Sequence, residues 1–402
     1  LNNWIEVSAD RLTANFNTIQ CVVGPETTIL AVIKADAYGH GALTCAPILA
    51  RAGACWLGVT CASEAVRIRA ALSAEGISLA QQPEILLMSG FLPSDAPLIH
   101  QHTLTPTLWT PEQIDWLRPY PGTRVHIEVD TGMGRQGVIP AELPGLLAQI
   151  LAANLIPDGL FTHFCSSEVA HSPLTALQQQ RFAAVVAQAT SLGVKPKWLH
   201  AANTAAIDNP ANPGWFQTLA GTIGAKTLVR PGLALFGYTL PIENNSDPIN
   251  DVRHPERSEG PLYFDPPTPT LTALQPVLTW KAAVLATRTL APGDTVGYNA
   301  IFTAPTPMRI ALLPVGYADG LRRELSASTD SPGGWVLLHG YRAPILGRIS
   351  MNLTVVDITQ IPTPIHPGDH ATLLGPGITA HQHAALARTI PYEILCAIHP
   401  CN

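Results

Sequence analysis

The sequence predicts an α/β protein: an N-terminal (β/α)8, TIM-like barrel followed by a mostly β C-terminal domain. Three observations carry this expectation. From residue 1 to about 240, strand-length apolar runs alternate with helical patterns about eight times. Those runs are continuous rather than alternating, as strands covered on both faces should be. From about residue 271, helical periodicity gives way to short apolar runs separated by Gly and Pro turns. A doubly wound open sheet is the alternative for the first half. It is disfavoured because no G-x-G-x-x-G turn follows the first strand.

The first helix is read in SADRLTANFNTIQ, where Leu12, Phe16 and Ile19 recur at helical spacing behind a Ser8 cap. The first barrel strand is expected over residues 28–34, with an unbroken apolar run ending in Lys34. Further strands are expected at 55–60, 84–88, 103–109, 124–129, 159–163, 197–200 and 228–236. Helical patterns such as SEAVRIRAAL and PLTALQQQRFAAVVAQATSL lie between them. Residues 241–270 are rich in Pro, Asn, Ser and charge without apolar periodicity, which predicts a solvated linker. The chain therefore divides into a barrel domain (1–240), a linker or insert (241–270) and a β-rich domain (271–402). Strands of the last are read in VLTWKAAVLATRTL, TVGYNAIF, RIALLPVGY, WVLLHG, MNLTVVDI and HATLLG. A helix in TAHQHAALARTI precedes PYEILCAI.

Composition excludes several classes. Among 402 residues the net charge is −6 and the pI about 6.1, and no basic stripe offers a nucleic-acid footprint. No apolar run is long enough to span a membrane; the nearest, residues 143–157, is broken by two prolines, Gln149 and Asn154. The first residues lack a basic segment followed by an apolar one, so no signal peptide is expected. Seven scattered cysteines, without a C-x-x-C pair, predict free thiols in a cytosol, and nothing suggests a metal site.

In a (β/α)8 barrel, functional groups collect at the C-terminal ends of the strands. Lys34 ends the first strand, and Tyr38, His40 and two glycines follow it. Asp130 and the turn reaching Arg135 follow the fifth strand, and His163 ends the sixth. Asn203 and Thr204 follow the seventh, and Arg230 lies in the last, before Pro231 and Gly232. Singly, each has an ordinary reading: a surface lysine, a core histidine, a threonine N-cap, an arginine in an ion pair, a tight turn. Their joint occurrence at strand ends favours a site. A lysine beside apolar surroundings suits a Schiff base, because desolvation frees the amine. The cofactor that uses such a lysine and also wants a phosphate cradle is pyridoxal phosphate, held by backbone N–H groups near Thr204 and Gly232.

The ordered segments AVIKADAYGHG, EVDTGMGRQG, GLFTHF, LHAANTAAI, VRPGLALFGY, GDTVGYNAIF, LPVGYADGLRR, LGRISMN and PYEILCAI resemble the alanine racemase family, pyridoxal phosphate enzymes built as a barrel plus a β domain. The resemblance spans nearly the whole chain, residues 241–270 excepted. It implies interconversion of L- and D-alanine by two bases, Lys34 on the D-alanine face and Tyr298 on the L-alanine face. It also implies that His163 assists Tyr298 and is held by Arg230, which faces the pyridine nitrogen. Lys34, Tyr38, His163, Thr204, Arg230, Gly232, Leu233 and Tyr392 would bind the cofactor. Arg135, Met351 and Glu128 would serve the substrate side, and Tyr317 would narrow the entrance. A head-to-tail homodimer, with Tyr298 supplied by the other subunit, a cytoplasmic location and a role in supplying D-alanine for bacterial peptidoglycan are implied as well.

Glu128 departs from the family pattern. Many relatives carry a carbamylated lysine there, and a glutamate would supply the carboxylate directly to orient Arg135. Asn352, Glu168 and Ser166 also depart from common family choices, which bears on entrance shape and substrate breadth. A broad-specificity amino-acid racemase is the nearest alternative. A barrel-fold decarboxylase would want a carboxylate at the pyridine nitrogen, and a non-catalytic pyridoxal phosphate carrier would lack the β domain.

Overall fold

The computed structural model describes residues 2–209, 214–244 and 271–400, so most of the expected 241–270 insert lies outside the described residues. The chain forms two compact units. One comprises Leu12–Lys34 and Cys45–Leu274; the other comprises Leu1–Arg11, Ala35–Thr44 and Gln275–Asn402.

The first unit is the expected barrel. Eight parallel strands close in the order Lys226–Arg230, Thr27–Val32, Trp56–Val59, Glu84–Leu87, Thr105–Leu108, Arg124–Glu128, Ile156–Phe161 and Trp198–Asn203. The last strand closes the ring on the first, pairing Thr227 with Thr27, whose hydroxyls hydrogen-bond at 3.2 Å. Residues on the central strands are buried nearly throughout, which explains their continuous apolar sequences. Helices follow the strands with legible start signals. Pro173–Ser191, for example, opens with a proline, and the Ser172 hydroxyl accepts from the Thr175 N–H.

One expected strand, 228–236, is corrected. The strand ends at Arg230, and residues Leu233–Phe236 form a buried 3-10 turn. Pro231 has no N–H to continue a ladder, so the apolar run beyond it fills a turn rather than a strand.

The second unit holds an eight-stranded antiparallel sheet. Its order is Asn3–Val7, Leu278–Ala283, His370–Leu374, Trp335–Leu338, Tyr341–Leu346, Thr354–Asp357, Met308–Leu313 and Ala286–Leu290. Two of these strands were not legible in the sequence. Tyr341–Leu346 contains a proline, yet it returns from Trp335–Leu338 through His339-Gly340, both with positive φ, as a type I′ hairpin requires. Asn3–Val7 is short, and its partner Leu278–Ala283 lies far along the chain.

Asn3 anchors that edge strand. It is fully buried; its amide donates to Pro314 O at 3.1 Å and Asp319 Oδ1 at 3.2 Å, and its Oδ1 accepts from Trp280 Nε1 at 3.4 Å. Asp319 in turn accepts from the Gly316 N–H and from Asn352 Nδ2. Asn3→Ala should strand several buried polar groups and destabilise this unit by about 2 kcal/mol. Equilibrium denaturation, followed by a probe in the β unit, measures that loss.

Candidate active site

At the C-terminal rim of the barrel, strand ends enclose a cavity of about 230 Å³ whose walls include Lys34, Glu128, Arg135, Gln136, His163 and Arg230. Five of the residues expected from the sequence therefore converge. Lys34 stands two residues beyond its strand and is half-buried rather than enclosed.

Arg230 organises the cavity. Its side chain is buried in the barrel, where burial brings its guanidinium down to about 10, so it stays charged at neutral pH. Nη1 donates to His200 Nδ1 at 2.8 Å. Nη2 shares its two N–H groups among Thr162 O (2.9 Å), Ala201 O (3.1 Å) and His163 Nδ1 (3.1 Å). Because a guanidinium only donates, each contacted imidazole nitrogen must carry a lone pair. The proton of His163 thus sits on Nε2. The proton of His200 also sits on Nε2 and is donated to His126 Nδ1 at 2.9 Å. Burial, reinforced by the Arg230 charge, keeps all three neutral: His163 and His126 fall to about 3, and His200 is held well below the ordinary imidazole value. Phe161 stacks on His200 with ring centroids 4.2 Å apart and completes the packing.

His126 and His200 were missed in the sequence. The available signal was an imidazole in the middle of each of two apolar strands, VHIEV and WLHAA, where a buried polar group requires a partner.

The residues fit pyridoxal phosphate. Arg230 Nε is buried and has no hydrogen-bond partner among the described residues, which leaves a donor on a residue that lines the same cavity as the half-buried Lys34. A pyridine nitrogen is the kind of acceptor such a donor takes. In the same unit, Thr204 Oγ1 accepts from the N–H groups of Gly232 (3.1 Å) and Ala234 (3.4 Å), so its hydroxyl hydrogen is left to donate. This gathers Thr204, Gly232 and the start of the Leu233–Phe236 turn, as the phosphate reading expected.

Glu128 corrects one expectation. Its buried carboxylate is not ion-paired with Arg135, which is itself exposed. Instead Gln136 Nε2 donates to Glu128 Oε2 and to Met88 O, the latter at 2.9 Å. Arg135 lines the cavity, and the next residue takes the carboxylate. Burial pushes Glu128 up to about 7, opposed by Gln136, Arg230 and Arg135.

The remaining expected residues belong to the second unit. Residues Ala35–Tyr38 take four consecutive left-handed conformations, with φ of 52–56°, each costing about 1–2 kcal/mol for a non-glycine residue. Asp36 braces the turn by accepting from the Ala42 N–H at 2.7 Å, and Gly39 is obligatory because a Cβ there would stand 2.3 Å from Leu395 O. The turn delivers Tyr38 to Tyr392, with ring centroids 5.7 Å apart, and burial pushes the Tyr38 phenol up so that it remains an O–H donor. Tyr317 and Met351 are neighbours through the Tyr317 N–H to Ser350 O and Ala318 N–H to Met351 O bonds. Both are exposed, as is Tyr298, at 45%, 56% and 66% respectively. Of the departures, Asn352 is engaged with Asp319, and the Ser166 hydroxyl accepts from Ser172. Cys21, Cys55, Cys61 and Cys165 are free thiols, and no helix among the described residues is long and apolar enough to cross a membrane.

Comparison with known proteins agrees with this arrangement. The family model "Alanine racemase, N-terminal domain" matches residues 7–240, and "Alanine racemase, C-terminal domain" matches residues 277–401. Alanine racemases of Halothermothrix orenii and Desulfovibrio desulfuricans are each 33% identical over 98% of this chain, covering 94% and 95% of their own lengths. Among solved structures, an alanine racemase from Clostridium difficile 630 superposes with a TM-score of 0.81 at 25% identity, covering 99% of this chain and 94% of that one. An alanine racemase from Bartonella henselae with covalently bound pyridoxal phosphate gives 0.78 at 27% identity, covering 100% and 98%.

The raised Glu128 value has a thermodynamic consequence. The folded carboxyl, near 7, holds its proton where the unfolded one, near 4.5, has lost it, so stability falls as pH rises through that window. Glu128→Gln removes this penalty. Its stability relative to the native protein should improve by about 3 kcal/mol between pH 4.5 and pH 8, measured by denaturant titration at both pH values.

Proposed function

The chain belongs to the alanine racemase family, and from that premise we propose how its own residues divide the work of inverting alanine. The protein is a pyridoxal phosphate-dependent isomerase interconverting L- and D-alanine. The single observation carrying the residue assignment is the unclaimed, buried Arg230 Nε in the cavity that also holds Lys34.

When bound, pyridoxal phosphate supplies an electron sink that acidifies the α-hydrogen of alanine. Lys34 would hold it covalently through its amine, and Arg230 Nε would donate to its ring nitrogen. Thr204, Gly232, Leu233, Tyr38 and Tyr392 would take the phosphate. An arginine that keeps its proton leaves that nitrogen uncharged, which limits the sink and disfavours side reactions such as transamination. The decarboxylase reading, which wants a carboxylate at that position, loses support for the same reason.

Inversion needs a proton removed from one face of the α-carbon and another delivered to the opposite face. Lys34 serves one face and Tyr298 the other. A free phenol, with a pKa near 10, is a poor base at neutral pH. His163 addresses this. With Nδ1 occupied by Arg230, its Nε2–H is the donor that would stabilise a Tyr298 phenolate, so it acts by donation rather than by taking the phenol proton. Tyr298 would come from the second subunit of a head-to-tail homodimer, a reading supported by the exposure of Tyr298, Tyr317 and Met351. The product D-alanine would feed peptidoglycan synthesis in a bacterial cytoplasm.

Incubating the pyridoxal phosphate-loaded protein with L-alanine in D₂O should give D-alanine deuterated at the α-carbon, read by chiral separation and mass analysis. Offering L-serine and L-lysine in competition measures substrate breadth. In Tyr298→Phe, racemisation should fall by about 10² to 10⁴. D-alanine should still exchange its α-hydrogen while L-alanine does not; equal exchange of both would remove the two-face assignment.

Glu128→Lys should make racemisation depend on added bicarbonate, because a lysine there presents a negative group only as its carbamate. Activity indifferent to bicarbonate would mean that position 128 need not carry an anion.

A further inference from the structure

The loop after strand Arg124–Glu128 is built to return to it. Asp130 Oδ1 accepts from the N–H groups of Gly132, Met133 and Gly134. Val138 N–H then bonds Glu128 O at 2.9 Å, and Asp130 N–H bonds Val138 O at 3.0 Å. Gly137, at φ +112°, allows the close return, since a Cβ there would stand 2.6 Å from Asp130 N. The loop is thus pinned at both ends, and Gln136 is delivered to Glu128. Both hydrogens of its amide nitrogen have acceptors, one the Met88 carbonyl and one the Glu128 carboxylate.

We propose that Gln136 is a positioning residue for racemisation, holding Glu128 as the anion that the cavity sets against Arg135 and Arg230. This rests on the racemase reading above and deepens it. A primary amide with both hydrogens directed at oxygens favours the ionised carboxylate, because a protonated acid would place an O–H where an acceptor is required or weaken the bond it accepts. Met88 O fixes the amide's rotation, which directs its other hydrogen at the Glu128 carboxylate. Three cationic or potentially cationic groups line this cavity: Lys34, Arg135 and Arg230. One anchored anion keeps that charge from accumulating around the carboxylate of an amino-acid substrate, which would otherwise be held too firmly by whichever cation it met first.

The groups facing Glu128 are Arg230 from the last barrel strand, Arg135 and Asp130 from its own loop, and Lys34 and His163 from two other strand ends. Arg230 remains charged and His163 neutral at neutral pH, while Lys34 and Asp130 are further ionisable groups near the carboxyl. For this reason the test reads the Glu128 carboxyl itself. The cofactor-free protein, labelled with ¹³C at glutamate carboxyls, is titrated by NMR, with Glu128→Gln used to assign the signal. Gln136→Leu, similar in size but without donors, should raise the Glu128 titration by about 1 to 2 pH units. In the pyridoxal phosphate-loaded enzyme the acidic limb of kcat/KM for L-alanine should move up by the same amount, lowering kcat/KM at pH 7 about fivefold or more. The same substitution made in Glu128→Gln should leave the acidic limb where that variant has it. Should Gln136→Leu not fold, Gln136→Glu, which puts a second acid where the donors stood, should move the titration in the same direction.

An unchanged carboxyl titration in these variants would overturn the proposal, as would an equal shift of the acidic limb in the Glu128→Gln background. Failure of the native enzyme to racemise alanine would instead sink the functional reading, and the carboxyl titration would still decide whether Gln136 sets the charge of Glu128.

Discussion

A charged arginine inside a barrel is the constraint on which the site depends. Burying a guanidinium without compensation is prohibitive, and the usual compensation is a carboxylate partner. Arg230 has none in hydrogen-bonding contact. Its charge is spread over two main-chain carbonyls and two imidazoles, which fixes the tautomers of His163 and His200 and, through His200, that of His126. Main-chain carbonyls of adjacent strands are positioned by the barrel itself, so the fold is part of the arginine's solvation. Its Nε is buried without a hydrogen-bond partner among the described residues.

This arrangement separates two functions that a carboxylate partner would merge. An acid next to the arginine would lower its power to donate and supply a competing acceptor. Neutral imidazoles accept from the guanidinium without cancelling its charge, and burial, reinforced by that charge, keeps them neutral. The one carboxylate in the cavity, Glu128, is turned instead toward an amide on a pinned loop. The arginine and the carboxyl thus share one cavity without forming an ion pair, and both remain able to act on a ligand.

Backbone strain is concentrated at the residues following Lys34. Four successive left-handed residues are costly, and they persist only because tertiary contacts over-determine them. Asp36, Gly39 and the Tyr38–Tyr392 contact provide that determination within the β unit. A turn of this hand reverses the chain within a few residues and directs Tyr38 into the interior, where its phenol stays protonated.

The sequence by itself determined the fold class and the identities of the chemical groups. Continuous apolar runs report strands buried on two faces, since burial on both sides leaves no polar alternation. A lysine, an arginine and a histidine at their ends are conspicuous against so apolar a background. The tertiary structure decided which groups meet. That His126 and His200 relay the contacts of Arg230, and that Gln136 rather than Arg135 holds Glu128, depends on neighbours brought together by barrel closure and loop geometry. The strand Asn3–Val7 likewise acquires its place only through pairing with Leu278–Ala283. Local periodicity encodes which face of an element is buried; it does not encode the partner. Hydrogen-bond direction and protonation are properties of partners, and so they became readable only when the chain was folded.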